Sequence, residues 1–189
     1  DLVLQDDGLR ILRAARFQAE LGLTPTGALL ASAQKFAPLL SQIARERLRD
    51  ELAKLLTADA RYPMLRRDAA PVPAGLDTLR TVEAWGLLFP DFPADEAAIA
   101  ALGTYKPPEG MPALAGKLAL LFHTAEPEAL SGWMQTYRFA QRDALAAAAA
   151  LTATRALAEG RLPLVEAMRL GMPVIAHARA AFTALKAAG

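Results

Sequence analysis

Apolar residues recur along this chain at intervals of three and four, the spacing of one face of an α-helix. Leu9, Leu12 and Phe17 belong to the first such pattern, and Leu48, Leu52, Leu55 and Leu56 make a second, stricter one. Alternating apolar runs are nearly absent and β-branched residues are few, so the pattern predicts an all-α chain. Glycine and proline punctuate it. The first helix is expected to end at Gly22 and Thr24-Pro25, a second to run from about Gly27 to Ala37, and a third to follow Pro38 and Ser41 and end near Ala58. Five more are predicted over Ala113–Phe122, Glu128–Tyr137, Gln141–Glu159, Leu162–Leu170 and Pro173–Ala188. Pro71 to Gly75, Phe89 to Pro93 and Pro107 to Pro112 read as loops, and the segment from Gly103 to Pro112 is the best internal boundary.

Composition agrees with a helical body. The 189 residues suffice for one large domain or two small ones, and 53% hydrophobic content is ample for a core. Alanine, the best helix former, dominates stretches such as Ala144 to Ala150. With no cysteine, disulfides and thiolate metal sites are excluded. No segment combines the length and freedom from charge that a bilayer span needs, and no signal peptide opens the chain, so a cytoplasmic location without membrane contact is expected.

A net charge of +1 is not the footprint of a strong nucleic-acid binder. The distribution is more telling: Arg10, Arg13, Arg16, Arg45, Arg47, Arg49 and Lys54 all fall within the first 54 residues. Three of them stand at three-residue spacing in Asp6-Asp7-Gly8-Leu9-Arg10-Ile11-Leu12-Arg13-Ala14-Ala15-Arg16-Phe17, along one side of a helix and behind a pair of acids. Two readings fit this string. In one, Asp7 caps the helix and the arginines are solvated. In the other, the arginine stripe faces anions such as RNA phosphates.

That string resembles one in the class II tRNA nucleotidyltransferases, the CCA-adding enzymes and their relatives the bacterial poly(A) polymerases. There Glu-Asp-x-x-Arg, continuing Ile-Leu-Arg-Ala-x-Arg-Phe, follows the catalytic head and recognises the incoming nucleotide. Asp7 and Arg10 match, Asp6 stands in place of Glu, and Gly8 in place of the usual Pro. The resemblance implies that the Asp7 carboxylate and the Arg10 guanidinium read the edge of cytosine or adenine. Arg13, Arg16 and Arg47, from the basic first 54 residues, and Arg138, beside Tyr137, are the candidate RNA or phosphate contacts. A second block, Ile43-Ala44-Arg45-Glu46-Arg47-Leu48-Arg49-Asp50-Glu51-Leu52-Ala53-Lys54-Leu55-Leu56, resembles the family's Ser-x-Glu-Arg-Ile-x-x-Glu-Leu-x-Lys-x-Leu helix, with Ala44 for Ser. It is expected to brace the first helix, through a pair such as Arg47 with Glu51. Gly75 to Arg80 and Gly86 to Pro90 match a further leucine-rich segment loosely.

The family's head domain carries a strand-borne Asp-x-Asp pair for two divalent metals and an Arg-Arg-Asp motif. The metal-holding pair does not occur here, and Arg66-Arg67-Asp68 follows the recognition helix instead of preceding it and runs on into Ala-Ala-Pro. The chain also opens on Asp1 and not on methionine, so it reads as the neck, body and tail of a longer enzyme. The implied organisation is neck-like recognition helices over residues 1–70, body helices over 71–106, and a helical body or tail over 107–189. The resemblance implies CTP, ATP and the tRNA acceptor end as partners. Mg2+ is expected in the parent enzyme through the missing head and none on this fragment, which is expected to be inactive alone. A poly(A) polymerase is the alternative within the family, and a non-catalytic helical RNA-binding or interaction module is the alternative outside it.

Leu120-Leu121-Phe122-His123 resembles the Leu-Leu-His-Asp of metal-dependent phosphohydrolases, yet Thr124 stands where Asp is required. With His177 as the only other histidine, the ligands for such a site are too few. His123 is expected to end a helix and His177 to be partly buried in one. Trp85, Trp133, Tyr137 and Phe139 are expected in the core, while Tyr137-Arg138 is a candidate contact for the acceptor end.

Overall fold

In α2, Leu9–Leu21, the residues Leu9, Ile11, Leu12, Ala15 and Ala19 make one buried stripe, as helical periodicity requires. Its end is set by Gly22, which adopts a left-handed φ of 70° and bonds its N–H to the Gln18 carbonyl. The computed structural model describes residues 2–62, 64, 65, 69–161 and 171–189. The fold is all-α, without a strand among these residues. They form two compact units, Asp1–Ala94 and Asp95–Gly189. The division falls at Ala94, and the segment from Gly103 to Pro112 lies inside the second unit. Arg66-Arg67-Asp68 and the helix expected over Leu162–Leu170 lie outside the described residues.

The first unit starts with α1, Leu2–Asp6, and α2. Next comes α3, Gly27–Phe36, whose first turn is capped by Thr26 Oγ1 accepting from the Leu29 N–H at 3.2 Å. A 3₁₀ segment, Ala37–Gln42, leads to α4, Arg45–Leu56, in which Leu48, Leu52, Leu55 and Leu56 are fully buried. The unit continues with α5, Ala58–Arg61, α6, Pro71–Thr81, and α7, Trp85–Leu88. Helices α4 and α6 both pack on α2, which is therefore the centre of the unit.

Pro71 to Gly75 is not a loop but the first turn and more of α6. The first intrahelical bond there runs from the Ala74 N–H to the Ala70 carbonyl, so Pro71 and Pro73 occupy positions whose missing N–H would have had no helical partner. Gly75 then lets α6 approach closely: a Cβ at this position would stand 2.9 Å from the Ala15 carbonyl oxygen and 3.1 Å from Ala19 Cβ.

In the second unit α8, Glu96–Ala101, is capped by Asp95, whose side chain accepts from the Ala98 N–H at 3.1 Å. It is followed by α9, Ala113–Leu121, α10, Pro127–Thr136, α11, Gln141–Ala158, and α12, Met172–Ala188. The alanine-rich α11 packs against α9, α10 and α12, its small side chains allowing three helices around it. Trp133 meets Tyr137, Phe139 and Phe122 with ring centroids 4.6, 5.5 and 6.0 Å apart, forming an aromatic cluster beside them. In the first unit Trp85 is buried too, its indole N–H donating to the Phe92 carbonyl at 2.8 Å. Trp85, Trp133, Tyr137 and Phe139 are thus core residues, as expected from their setting among leucines.

His177 is fully buried and shares a hydrogen bond of 2.6 Å between Nδ1 and Tyr105 Oη. The pair is admitted by Gly116, since a Cβ there would fall 2.5 Å from the phenol oxygen. Burial pushes the Tyr105 phenol up and lowers the His177 imidazole to about 4. An unfolded histidine charges near 6.5, so the stability that neutral His177 contributes is complete above that pH and is lost as pH falls toward 4. The expected loss is about 2–3 kcal/mol. Urea unfolding at pH 7 and pH 4.5 checks it, and a His177→Leu variant should show a shallower acid dependence than the native chain.

Among the described residues no helix is long and apolar enough to cross a membrane.

Candidate nucleic-acid interface

The first unit brings the two sequence blocks together at the start of α2. Gly8 is the residue that permits it: a Cβ there would stand 2.8 Å from Leu39 Cβ and 3.1 Å from the Leu39 carbonyl carbon. The turn between α1 and α2 consequently sits directly on the 3₁₀ segment. This puts Asp7 within reach of α4. Asp7 Oδ1 accepts from the Leu9 N–H at 3.1 Å, and Asp7 Oδ2 accepts from Arg47 Nη2 at 3.1 Å. Asp7 therefore does satisfy a free donor at the helix start, and it also ties α2 to α4 across 40 residues of sequence.

An open cleft of about 360 Å3 lies at this junction. Asp7 and Arg47 line it together with Gln5, Asp6, Gln42 and Ile43, so carboxylate, guanidinium and amide groups converge on a space at the small end of ligand-site size. Gln5 and Gln42 escaped the sequence reading, because neither sits in a motif and only the fold brings them beside Asp7. Arg10, the second residue of α2, is exposed to solvent and does not line the cleft. Arg47 pairs with Asp7 and not with Glu51 as expected.

The arginine stripe is not uniform. Arg13 is part-exposed, its Nε 3.6 Å from Glu51 Oε1. Arg16 is buried, its Nε 2.7 Å from Glu51 Oε2 and its Nη1 2.8 Å from Glu20 Oε2, and its guanidinium lies over the Phe17 ring at 4.2 Å. The physical reason is angular. Each three-residue step on a helix falls about 60° short of a full turn, so two steps rotate Arg16 about 120° from Arg10 and into the packed side. The expectation that Arg16 faces phosphate is corrected accordingly, since its donors are held by two buried carboxylates. Lys54 Nζ also approaches Glu51, at 3.5 Å, and Arg61 Nη1 approaches Glu20 Oε1 at 3.4 Å.

In the second unit Arg138 is exposed just past α10, in a left-handed conformation with φ of 58°. Tyr137 beside it is 2% exposed and stacked on Trp133, so the pair has no open aromatic face. His123 lies two residues past the end of α9, with its Nε2 3.9 Å from Asp95 Oδ2. Among the described residues no group of three or more histidine, aspartate or glutamate side chains is arranged to hold a metal ion.

Residues 22–67 match a family model described as the probable RNA and SrmB-binding site of polymerase A. The chain is 41% identical over 61 residues to the CCA-adding enzyme of Latilactobacillus sakei subsp. sakei, a match covering 32% of this chain and 15% of that protein. It is 39% identical over 94 residues to the CC-adding tRNA nucleotidyltransferase of Geobacter sulfurreducens, covering 49% of this chain and 19% of that protein. The matches thus span less than a fifth of the length of either curated relative. No solved structure matches the chain significantly. Over part of its length the chain is thus similar to tRNA nucleotidyltransferases and to the RNA-binding part of polymerase A.

Proposed function

We propose that this chain supplies the RNA-holding and nucleotide-recognising helices of an enzyme that adds nucleotides to tRNA 3′ ends, with CTP and ATP as its nucleotides. The observation that carries the reading is the convergence of Asp7 and Arg47 on one polar cleft beside the exposed Arg10. A carboxylate accepts from the exocyclic amino group that cytosine and adenine carry, and a guanidinium donates to a ring nitrogen or carbonyl oxygen. Arg47 acts as a positioning residue that holds the Asp7 carboxylate, leaving it lone pairs to spare for a base. Arg13 and Arg138 are the exposed cations proposed for phosphate.

In the reaction, the RNA 3′ hydroxyl loses its proton to solvent as its oxygen bonds to the α-phosphorus, the bond from that phosphorus to the oxygen shared with the β-phosphorus breaks, and pyrophosphate leaves. The reading assigns Mg2+ to residues of the parent enzyme outside this chain, whose described residues offer no fitting donor set. A poly(A) polymerase is the second reading, favoured by the polymerase A description of the matched segment. The test uses the complete protein, tRNA lacking its terminal nucleotides, and an unstructured RNA of equal length. Addition of cytidine and adenosine to tRNA alone is expected, while the 189-residue chain by itself binds tRNA and adds nothing. Adenosine runs on both RNAs would favour the polymerase, and addition by the chain alone would overturn the reading.

A further inference from the structure

Glu20 and Glu51 are held inside the first unit with side chains only 2% and 6% exposed, and four cations surround them. One of these, Arg16, is buried between the two carboxylates. The other three, Arg13, Lys54 and Arg61, are 42%, 41% and 45% exposed. Solvent therefore meets the cations and not the anions, and the cluster carries two more positive than negative charges. Arg13 and Lys54 both approach Glu51 Oε1, at 3.6 and 3.5 Å, which keeps their nitrogens within about 7 Å of one another.

We infer that Arg13, Lys54 and Arg61 form a phosphate-binding surface for the RNA backbone, pre-set by the carboxylates beneath. An arginine has five N–H donors and a lysine three, so a single contact to a buried carboxylate leaves most of them for solvent or phosphate. Holding these long side chains from below lowers the ordering cost that a free surface cation meets when it binds. Lys54 and Arg61 lie in the segment matched by the RNA-binding model, and Arg13 adds the neighbouring helix α2. Arg16 serves this surface from within, by fixing both carboxylates. The phosphodiester backbone is the fitting ligand because the three cations are spread over α2, α4 and α5, where a linear polyanion reaches them all.

This inference rests on the chain being an RNA binder, and the experiment separates the two. Binding of tRNA to the complete protein is measured from 50 to 300 mM salt, about the range over which phosphate contacts weaken steeply. The native protein is compared with single Lys54→Gln and Arg61→Gln variants and with the triple variant that adds Arg13→Gln. Each lost contact should reduce the slope of log affinity against log salt by about 0.7 to 0.9, and the triple variant by about two or more. The folded state of each variant is checked by circular dichroism, and should the triple variant unfold, the single variants decide. Native binding with unchanged slopes in the folded variants would overturn this surface while leaving the wider reading intact. Absence of native tRNA binding would overturn both.

Discussion

Arg16→Ala is expected to lower the stability of the first unit by about 3–5 kcal/mol, as breaking a buried ion pair from one side does. Arg16 donates to Glu51 at 2.7 Å and to Glu20 at 2.8 Å, and its own side chain is only 10% exposed. Alanine would leave two carboxylates inside the unit without the group that links them. Arg13, Lys54 and Arg61 stand 3.4 to 3.6 Å away and compensate only in part, since half of each is in water. For a unit of this size the melting temperature should fall by more than about 10 °C. Adding Glu20→Gln and Glu51→Gln to Arg16→Met should recover much of the loss, because replacing a whole buried ion set is far milder than removing one member. Urea unfolding of the single and triple variants at neutral pH measures both effects. Unchanged stability with weakened RNA binding would instead make Arg16 a phosphate ligand.

Which features are legible in the sequence follows from the range of the forces that set them. The buried leucines of α4 announce their helix because periodicity is local, and the ends of α9, α10 and α11 fall within a residue of those expected. The α6 start is hidden because proline signals a break to a reader who cannot see that its missing N–H is harmless in the first turn. Arg16 looks like its neighbours Arg10 and Arg13 until Glu51, 35 residues away, is known to lie beneath it. The Asp7 and Arg47 pair spans 40 residues and the Tyr105 and His177 pair 72, so neither is a pattern that local spacing contains. The resemblance supplied Asp7 and Arg10 as candidates and the basic clustering supplied Arg47, while the fold set Arg47 against Asp7 and brought Gln5 and Gln42 to the same cleft.

In the complete protein, the proposed function predicts that Asp7→Ala and Arg10→Ala each erode discrimination against UTP and GTP by roughly ten- to hundredfold, about 1 to 3 kcal/mol for one lost bidentate contact. Cytosine and adenine present an amino group beside a ring nitrogen, which a carboxylate and a guanidinium complement, whereas uracil and guanine meet the same pair with mismatched groups. Triphosphate binding should weaken less, since phosphate contacts position a nucleotide without reading its base. The two oxygens of Asp7 already hold the Leu9 N–H and Arg47, so its direction is fixed before a base arrives. Arg47→Ala should accordingly blur base choice in the same sense while leaving Asp7 in place, and Arg47→Lys should restore only part of it, because an ammonium lacks the planar fork. If Asp7 is a helix cap alone, its loss should cost about 1 kcal/mol of stability and leave base choice untouched. Incorporation of all four nucleotides by the folded variants, measured beside their melting temperatures, distinguishes the outcomes: lowered melting with unchanged selectivity would reduce Asp7 to a structural residue.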